Sequence, residues 1–299
     1  MIKVKLQTNW CSPYEIREHF NRCTINGDYK WNDLVMVDTN NPVDYDFNII
    51  FNTPYRINKN YDRKNSIVFQ CEPLSTISIF KNEYGFDPYA YDDWYYFYDT
   101  QNHHNVDKWY VSLNFKQLLE PDRFVKIKSF SSVISDTRGL PGHEYRINFA
   151  KLLDASINDY DNFGRRPPFY PFCHHRGMLI NKEDGLANYK YTLGVENTNQ
   201  NGYLTEKFID AILCECLLFY SGAPNADKFI NPQAFIQLDL TKPQEALEII
   251  KASIANNEWE KRISFIREEK KKLMTTLNPL NIIESLIKFK KPPYDLIPA

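Results

Sequence analysis

The stretch Tyr189-Lys-Tyr-Thr-Leu-Gly-Val-Glu196-Asn197, the polar loop 198–203 after it, and then Leu-Thr-Glu206-Lys207-Phe-Ile decide how this chain is read. The apolar and aromatic run that ends in Glu196 and Asn197 has the make-up of a buried strand. Beyond the loop, Phe208, Ile209, Ile212, Leu213, Cys216 and Leu217 fall on one face at helical spacing. The segment therefore predicts a strand over 189–196 and a helix over 203–217 packed on a sheet. Open α/β sheets bind ligands outside the carboxyl ends of their strands, which is where this strand delivers Glu196 and Asn197. Glu206 and Lys207 lie off the packed face, in the first turn of the helix. A lysine there opposes the helix dipole by about 0.3–1 kcal/mol, a cost that an anionic ligand would reverse. The competing reading is a solvated Glu-Lys pair on a surface helix.

Outward from that stretch, short apolar runs alternate with helix-like segments. In the first half, the runs 2–6, 34–37, 47–51 and 67–69 are β-branched or aromatic and stop at Asn, Asp or Pro, as strands of a mostly parallel sheet do. A first helix is expected over 13–20. The tyrosine-rich stretch 84–110 has no clean period and predicts loops with short helices. A second series starts near Phe124, with a strand-like run over 125–135 and a helix over 142–155 behind the turn Gly139-Leu140-Pro141-Gly142. Strands follow at 218–221 and 234–238, then helices at 243–256, 258–274 and 279–290, the last stopped by Pro292-Pro293. Two βα series predict an α/β protein of two Rossmann-like domains facing a cleft, over 1–124 and 125–275, with a helix and tail at 276–299.

Composition narrows the function. Hydrophobic residues make up 43% and charged residues 25% of 299, which is ordinary for a globular chain. A formal charge of -2 does not suit a nucleic-acid binder. Tyr and Phe, 20 each, predict large aromatic cores, with some rings free to stack on sugars or bases. The six cysteines show no CxxC spacing and are expected to be reduced and mostly buried, as in a cytosol-like compartment. The first residues lack the apolar run of a signal peptide, and no stretch approaches the roughly 20 apolar residues of a membrane span. A soluble, cytoplasmic protein is expected, with peripheral membrane attachment left open. No G-x-G-x-x-G follows a strand, which disfavours a dinucleotide-dependent oxidoreductase. Asp44-Tyr45-Asp46 and Asp159-Tyr160-Asp161 are poorly placed for metal-binding triplets, and the pairs His103-His104 and His174-His175 lack further ligands at zinc spacing. No metal or other cofactor is expected.

Residues 189–240 resemble the donor-binding region of the family 10 α-1,3/1,4-fucosyltransferases, especially the bacterial members. That family has a strand ending Phe-Glu-Asn-Ser/Thr, then Tyr-(Ile/Val)-Thr-Glu-Lys, a Gly-(Ser/Ala)-Pro turn and a strand with (Ala/Ser)-Phe-(Ile/Val). Here these stand as Val195-Glu196-Asn197-Thr198, Tyr203-Leu204-Thr205-Glu206-Lys207, Gly222-Ala223-Pro224 and Asn231-Pro232-Gln233-Ala234-Phe235-Ile236. Val195 departs from the usual Phe. Upstream, Gly142-His-Glu-Tyr-Arg146-Ile-Asn148-Phe149 is similar to the family's Arg-Asn-x-Phe helix, and Tyr160-Asp161-Asn-Phe163-Gly164-Arg165 to its Val-Asp-x-x-Gly turn. Val68-Phe69-Gln70-Cys71-Glu72-Pro73 is similar to the segment with the family's catalytic carboxylate, Pro73 standing where many bacterial members have Asn.

The resemblance implies the GT-B fold and an inverting transfer of L-fucose from GDP-fucose to a glycan hydroxyl, without a metal. It implies an acceptor-binding domain first and a donor-binding domain second. By resemblance, Glu72 is the base, Arg146 and Lys207 hold the diphosphate, Glu206 the ribose, and Tyr203 and Asn197 the nucleotide, with Glu196 near the sugar. The residues alone leave a solvated strand-end Glu72 open, and an Arg146 paired with Glu144 or Asp154. Another GDP-linked sugar fits the same nucleotide contacts. A non-catalytic relic is disfavoured by the retention of Glu72, Arg146, Glu206 and Lys207 together.

Overall fold

The structure, a computed structural model, describes residues 1–38, 44–55, 61–99, 103, 109–164 and 172–296. The chain divides into two compact units, one of residues 1–109, 114–116 and 274–299 and one of 110–113 and 117–273.

In the first unit, β1 (Ile2–Thr8) leads into α1 (Pro13–Asn21), then β2 (Lys30–Trp31), β3 (Leu34–Met36), β4 (Phe47–Phe51), β5 (Ser66–Phe69), α2 (Ile77–Tyr84) and β6 (Tyr96–Tyr98). The sheet order is β2-β3-β1-β4-β5-β6, with every pairing parallel except β2 with β3. Helix α1 starts on a capping box, in which Ser12 and Glu15 each bond the other's backbone N–H. Helix α2 ends on Gly85 in the left-handed conformation (φ 60°) that glycine tolerates best.

The aromatic excess has a structural outlet here. Phe51, Phe69 and Tyr98 are register partners on adjacent strands, and their rings sit 5.2 Å and 5.0 Å apart. Phe20 of α1 closes the row at 4.8 Å from Phe51. Each such pair contributes about 0.5–1.5 kcal/mol beyond burial. Strand β6 therefore lies inside the tyrosine-rich stretch for which loops were expected; its rings face neighbours on an edge strand, and no polar alternation marks it. His104 and Arg165 lie outside the described residues.

A one-turn helix, α3 (Phe115–Leu118), precedes the second unit's sheet of β7 (Lys128–Val133), β8 (Tyr160–Phe163), β9 (Tyr189–Val195), β10 (Leu217–Ser221) and β11 (Phe235–Gln237). Its order is β11-β10-β9-β7-β8 and every pairing is parallel. Helix α4 (Pro141–Ser156) connects β7 to β8, α5 (Glu206–Leu213) connects β9 to β10, and α6 (Pro243–Ala255) and α7 (Glu258–Met274) follow β11. The chain runs outward from β7 to β8 and then returns to the other side, so the sheet's switch point lies between β7 and β9.

Helix α5 is shorter than its periodicity suggests. It stops at Leu213, and Glu215 turns left-handed (φ 59°), held by Lys270 at 2.8 Å and Arg267 at 2.9 Å. Cys214 and Cys216 thus follow the helix instead of sharing it. The last helix, α8 (Pro279–Phe289), belongs to the first unit, where it does not stand as a separate tail. Asn278 donates to the Cys23 carbonyl at 3.0 Å, and Glu284 accepts from Asn32 Nδ2 at 2.7 Å. Contacts between such distant positions leave no trace in local periodicity. None of the six cysteines is joined in a disulfide among the described residues, and Cys23, Cys71, Cys214 and Cys216 are buried. Among the described residues no helix is long and apolar enough to cross a membrane.

Candidate functional site

Six of the seven expected site residues lie in the second unit, around the carboxyl ends of β7 and β9. Glu196 leaves β9 fully buried. Its carboxylate accepts from the Thr205 N–H at 2.8 Å, the Thr205 hydroxyl at 2.7 Å, Lys207 Nζ at 3.3 Å and the Tyr220 hydroxyl at 3.5 Å. Thr205 is the N-cap of α5, so Glu196 fixes where that helix begins. Burial pushes the Glu196 carboxyl up, and Lys207 opposes that shift. With its oxygens taken up by these donors, Glu196 acts as a positioning residue.

Lys207 lies in the first turn, as expected, and carboxylates of the chain itself pair with it there. Its Nζ reaches Glu196, Thr205 Oγ1 at 3.1 Å and Glu206 Oε1 at 3.2 Å. The same Glu206 oxygen is 4.0 Å from Lys182 Nζ, which pairs with fully buried Asp210 at 2.7 Å. Cations and carboxylates alternate along this chain. Burial alone would raise the Glu206 carboxyl, but Lys207 and Lys182 outweigh it and hold the group at about 2. Burial likewise disfavours the charged Lys207, yet Glu206 and Glu196 raise its pKa. The unfavourable helix-end lysine is therefore compensated within the protein.

Arg146 stands on α4, buried, and neither expected competitor holds it. Glu144 pairs with Arg138 at 2.7 Å, and Asp154 with His174 at 2.9 Å. Arg146 Nη2 donates to the Ser135 carbonyl, the Ser135 hydroxyl and the Thr137 carbonyl at 3.2–3.4 Å. Its Nε is buried with no hydrogen-bond partner among the described residues. Burial lowers its pKa, against the distant pull of Glu206 and Glu196. A buried guanidinium with no carboxylate in contact is costly to keep unless an anion completes it.

Helix α4 is brought to this end of β9 by a close approach at Gly142. A Cβ there would meet the Glu196 carbonyl oxygen at 1.9 Å, and the Gly142 N–H donates to the Asn197 carbonyl at 3.0 Å. His143 Nε2 bonds Asn197 Oδ1 at 3.0 Å while its Nδ1 accepts from the Leu140 N–H at 3.2 Å, which assigns the Nε2–H tautomer. Asn197 Nδ2 donates in turn to the Tyr203 hydroxyl at 3.4 Å, and Tyr203 is itself buried. Asn197 and Tyr203 thus brace the loop between β9 and α5.

A cavity of about 20 Å³ lies under this arrangement, between the ends of β7 and β9. Arg146, Lys182 and Lys207 are its charged lining residues, with Val133, Val195 and the Gly194 backbone among the rest. Lys182 is the site residue that sequence reading missed. It sits on a single 3-10 turn, Lys182–Gly185, where no period draws the eye.

Glu72 lies in the first unit, two residues past Gln70 at the end of β5. The N–H groups of Cys71 and Glu72 both donate to Asn52 Oδ1, at 2.8 Å and 3.0 Å. Asn52 follows β4 with φ 60°, a left-handed position that Asn accepts more readily than most residues. Gln70 Nε2 closes the turn on the Glu72 carbonyl at 3.1 Å. Of the acidic triplets, Asp161 is occupied by Lys128 at 2.9 Å, Tyr189 at 2.7 Å and Arg176. Asp46 accepts from the Lys3 N–H at 2.8 Å.

Two parallel-sheet α/β units, one with buried cations at its switch point, define a two-domain glycosyltransferase fold. A solved α1,3-fucosyltransferase is superposable at a TM-score of 0.50 and 21% identity, covering 88% of this chain and 80% of that one. The same enzyme class solved with GDP-fucose gives 0.50 and 19%, covering 88% and 81%. By sequence, the chain is 40% identical over 72 residues to the α-(1,3)-fucosyltransferase FucT of Helicobacter pylori, and 36% identical over 61 residues to a fucosyltransferase-like protein of Arabidopsis thaliana. These matches cover 24% and 20% of this chain and only 15% and 12% of those relatives. No family profile matches. The resemblance to fucosyltransferases read from the motifs is thus met again in sequence relatives and in fold.

Proposed function

We propose that the chain is an inverting glycosyltransferase that moves L-fucose from GDP-fucose to a glycan hydroxyl in α-1,3 linkage. The observation that carries this reading is the convergence of buried Arg146, lacking an ion-pair partner among the described residues, with Lys207 at the β7–β9 switch point. Glu72 takes the proton of the acceptor hydroxyl as its oxygen attacks the anomeric carbon. The bond from that carbon to the β-phosphate oxygen breaks, and GDP leaves with the electron pair. Arg146 and Lys207 stabilise the charge that develops on the leaving diphosphate, the task a divalent metal performs in other transferases, so a metal is not required. Glu206, kept ionised between two lysines, is suited to accept from ribose hydroxyls. Asn197 and Tyr203 hold the loop that faces the nucleotide, and Glu196 holds Lys207 and the start of α5. The first unit is assigned the acceptor and the second the donor. Six cysteines without a disulfide among the described residues, four of them buried, favour a reducing, cytosol-like compartment.

A second reading keeps the nucleotide and changes the sugar. Val195, where the family usually has Phe, is among the cavity-lining residues, which favours a different GDP-linked hexose such as a mannose or rhamnose derivative. A hydrolysis and transfer screen over GDP-linked and UDP-linked sugars tests both, run with and without a chelator. Turnover of GDP-fucose unaffected by chelation is expected. Turnover confined to another GDP-sugar would favour the second reading, and turnover of UDP-sugars alone would overturn both.

A further inference from the structure

We infer that Lys182 is a third phosphate-holding cation, and that the small cavity it shares with Arg146 and Lys207 receives a non-bridging oxygen of the donor diphosphate. The inference rests on the proposed nucleotide-sugar reading and names a residue outside the motifs quoted above. At about 20 Å³ the cavity has room for roughly one water-sized group. Its charged lining is wholly cationic: Arg146 from α4, Lys207 from α5 and Lys182 from the turn before β9. The carboxylates Glu206 and Asp210 that balance the lysines are absent from that lining. Both lysines are balanced by carboxylates outside that lining, whereas Arg146 has none in contact among the described residues, so an anionic oxygen, unlike a neutral water, would complete the set.

Two further observations point to a ligand on this side. Arg146 Nε, buried and without a hydrogen-bond partner among the described residues, belongs to a residue that walls the cavity. Lys182 is held at Nζ by Asp210 at 2.7 Å, yet its side chain keeps about one-fifth of its surface open, as Lys207 does. An ammonium has three donors, so pairing with Asp210 fixes its place without exhausting it. Asp210 is in turn fixed by the Tyr110 N–H at 3.1 Å. In this arrangement Lys182 is a binding residue for the leaving group, and Asp210 is its anchor.

The competing role for Lys182 is purely structural, as the partner of a buried carboxylate. Removing the lysine alone would strand Asp210 and confuse the two roles, so the test uses K182M/D210N, which removes both charges, with D210N and K182R as controls. Calorimetric titration with GDP and with inorganic pyrophosphate is the readout. K182R, which keeps a cation, is expected to retain most of the GDP affinity, D210N, which removes the anchor, to weaken it moderately, and K182M/D210N to bind at least about tenfold more weakly than D210N. Equal GDP affinity in K182M/D210N and D210N would overturn the assignment while leaving the nucleotide-sugar reading intact. If the unaltered chain binds pyrophosphate through Lys182 but not GDP, the cavity assignment stands and the nucleotide reading falls. Binding of neither ligand would overturn both.

Discussion

The carboxyl ends of β5 and β9, one in each unit, present their acidic residues in opposite ways. At β9 the acids and bases alternate from Glu196 through Lys207, Glu206 and Lys182 to Asp210, while Arg146 has no counter-ion in contact among the described residues. At β5 the turn with Glu72 is held by a neutral clamp, one Asn52 side-chain oxygen accepting two N–H groups. The first arrangement fixes charges through one another, and on the proposed reading a leaving group would meet them with little reorganisation. The second fixes the backbone of the turn that bears Glu72.

The difference can be broken at either end. Glu72→Gln is expected to produce the largest effect, a loss of about 10²–10⁴ in turnover for a missing proton acceptor, with GDP affinity unchanged. Unaltered turnover in steady-state assays would remove Glu72 from the mechanism. At the other end, Glu196→Ala takes one of two carboxylates from Lys207 and the acceptor from the Thr205 N–H and hydroxyl; each buried donor left unpaired costs about 1–3 kcal/mol, to be read as a lower denaturation midpoint. A loss confined to activity, with stability untouched, would instead place Glu196 on the substrate.

Asn52→Ala is the corresponding change at β5. Two N–H groups lose their shared acceptor, at about 1–3 kcal/mol, and turnover should fall through kcat as Glu72 loses its fixed position. A stability loss with normal kcat would show that the clamp serves only the fold. The smallest effect is acid sensitivity at Asp161. Burial would raise this carboxyl, but Arg176, Lys128 and Tyr189 hold it at about 2, below its ordinary value of 3.8. A lowered carboxyl stabilises the fold above its ordinary pKa, and that contribution is lost as the pH falls from about 4 to 2. The two cations are about half exposed, which weakens the pair. Melting curves of Asp161→Asn should converge on those of the unaltered chain over that range; a constant gap would contradict the assignment.

How far the sequence reaches also differs between the two ends. The β9–α5 segment is continuous, so strand, loop, cap and first-turn charges could be read in order, and Gly142 stood in a visible Gly/Pro turn. What stayed hidden there was the partnership: Glu196 and Tyr203 are buried, and the Glu196 carboxylate accepts from both the N–H and the hydroxyl of Thr205. Lys182 was missed because one 3-10 turn has no period. Strand β8 was passed over as a turn because Asp161 and Asn162 break the apolar pattern. Both are buried polar residues with partners on neighbouring elements, Asn162 Oδ1 accepting from Ser132 Oγ at 3.2 Å. At β5 the decisive residue, Asn52, comes from the preceding strand's end, and the place of α8 in the first unit depends on contacts such as Asn278 to Cys23. Long-range pairings of single polar atoms have no local signature.

The β7–β9 switch point as a guanosine diphosphate site is tested most directly by calorimetric titration of the chain and of Arg146→Ala with GDP and UDP. GDP binding tighter than UDP binding, and weakened by roughly tenfold or more in Arg146→Ala, is the predicted result. Tighter binding of UDP, no binding of GDP, or GDP affinity indifferent to Arg146 would contradict it.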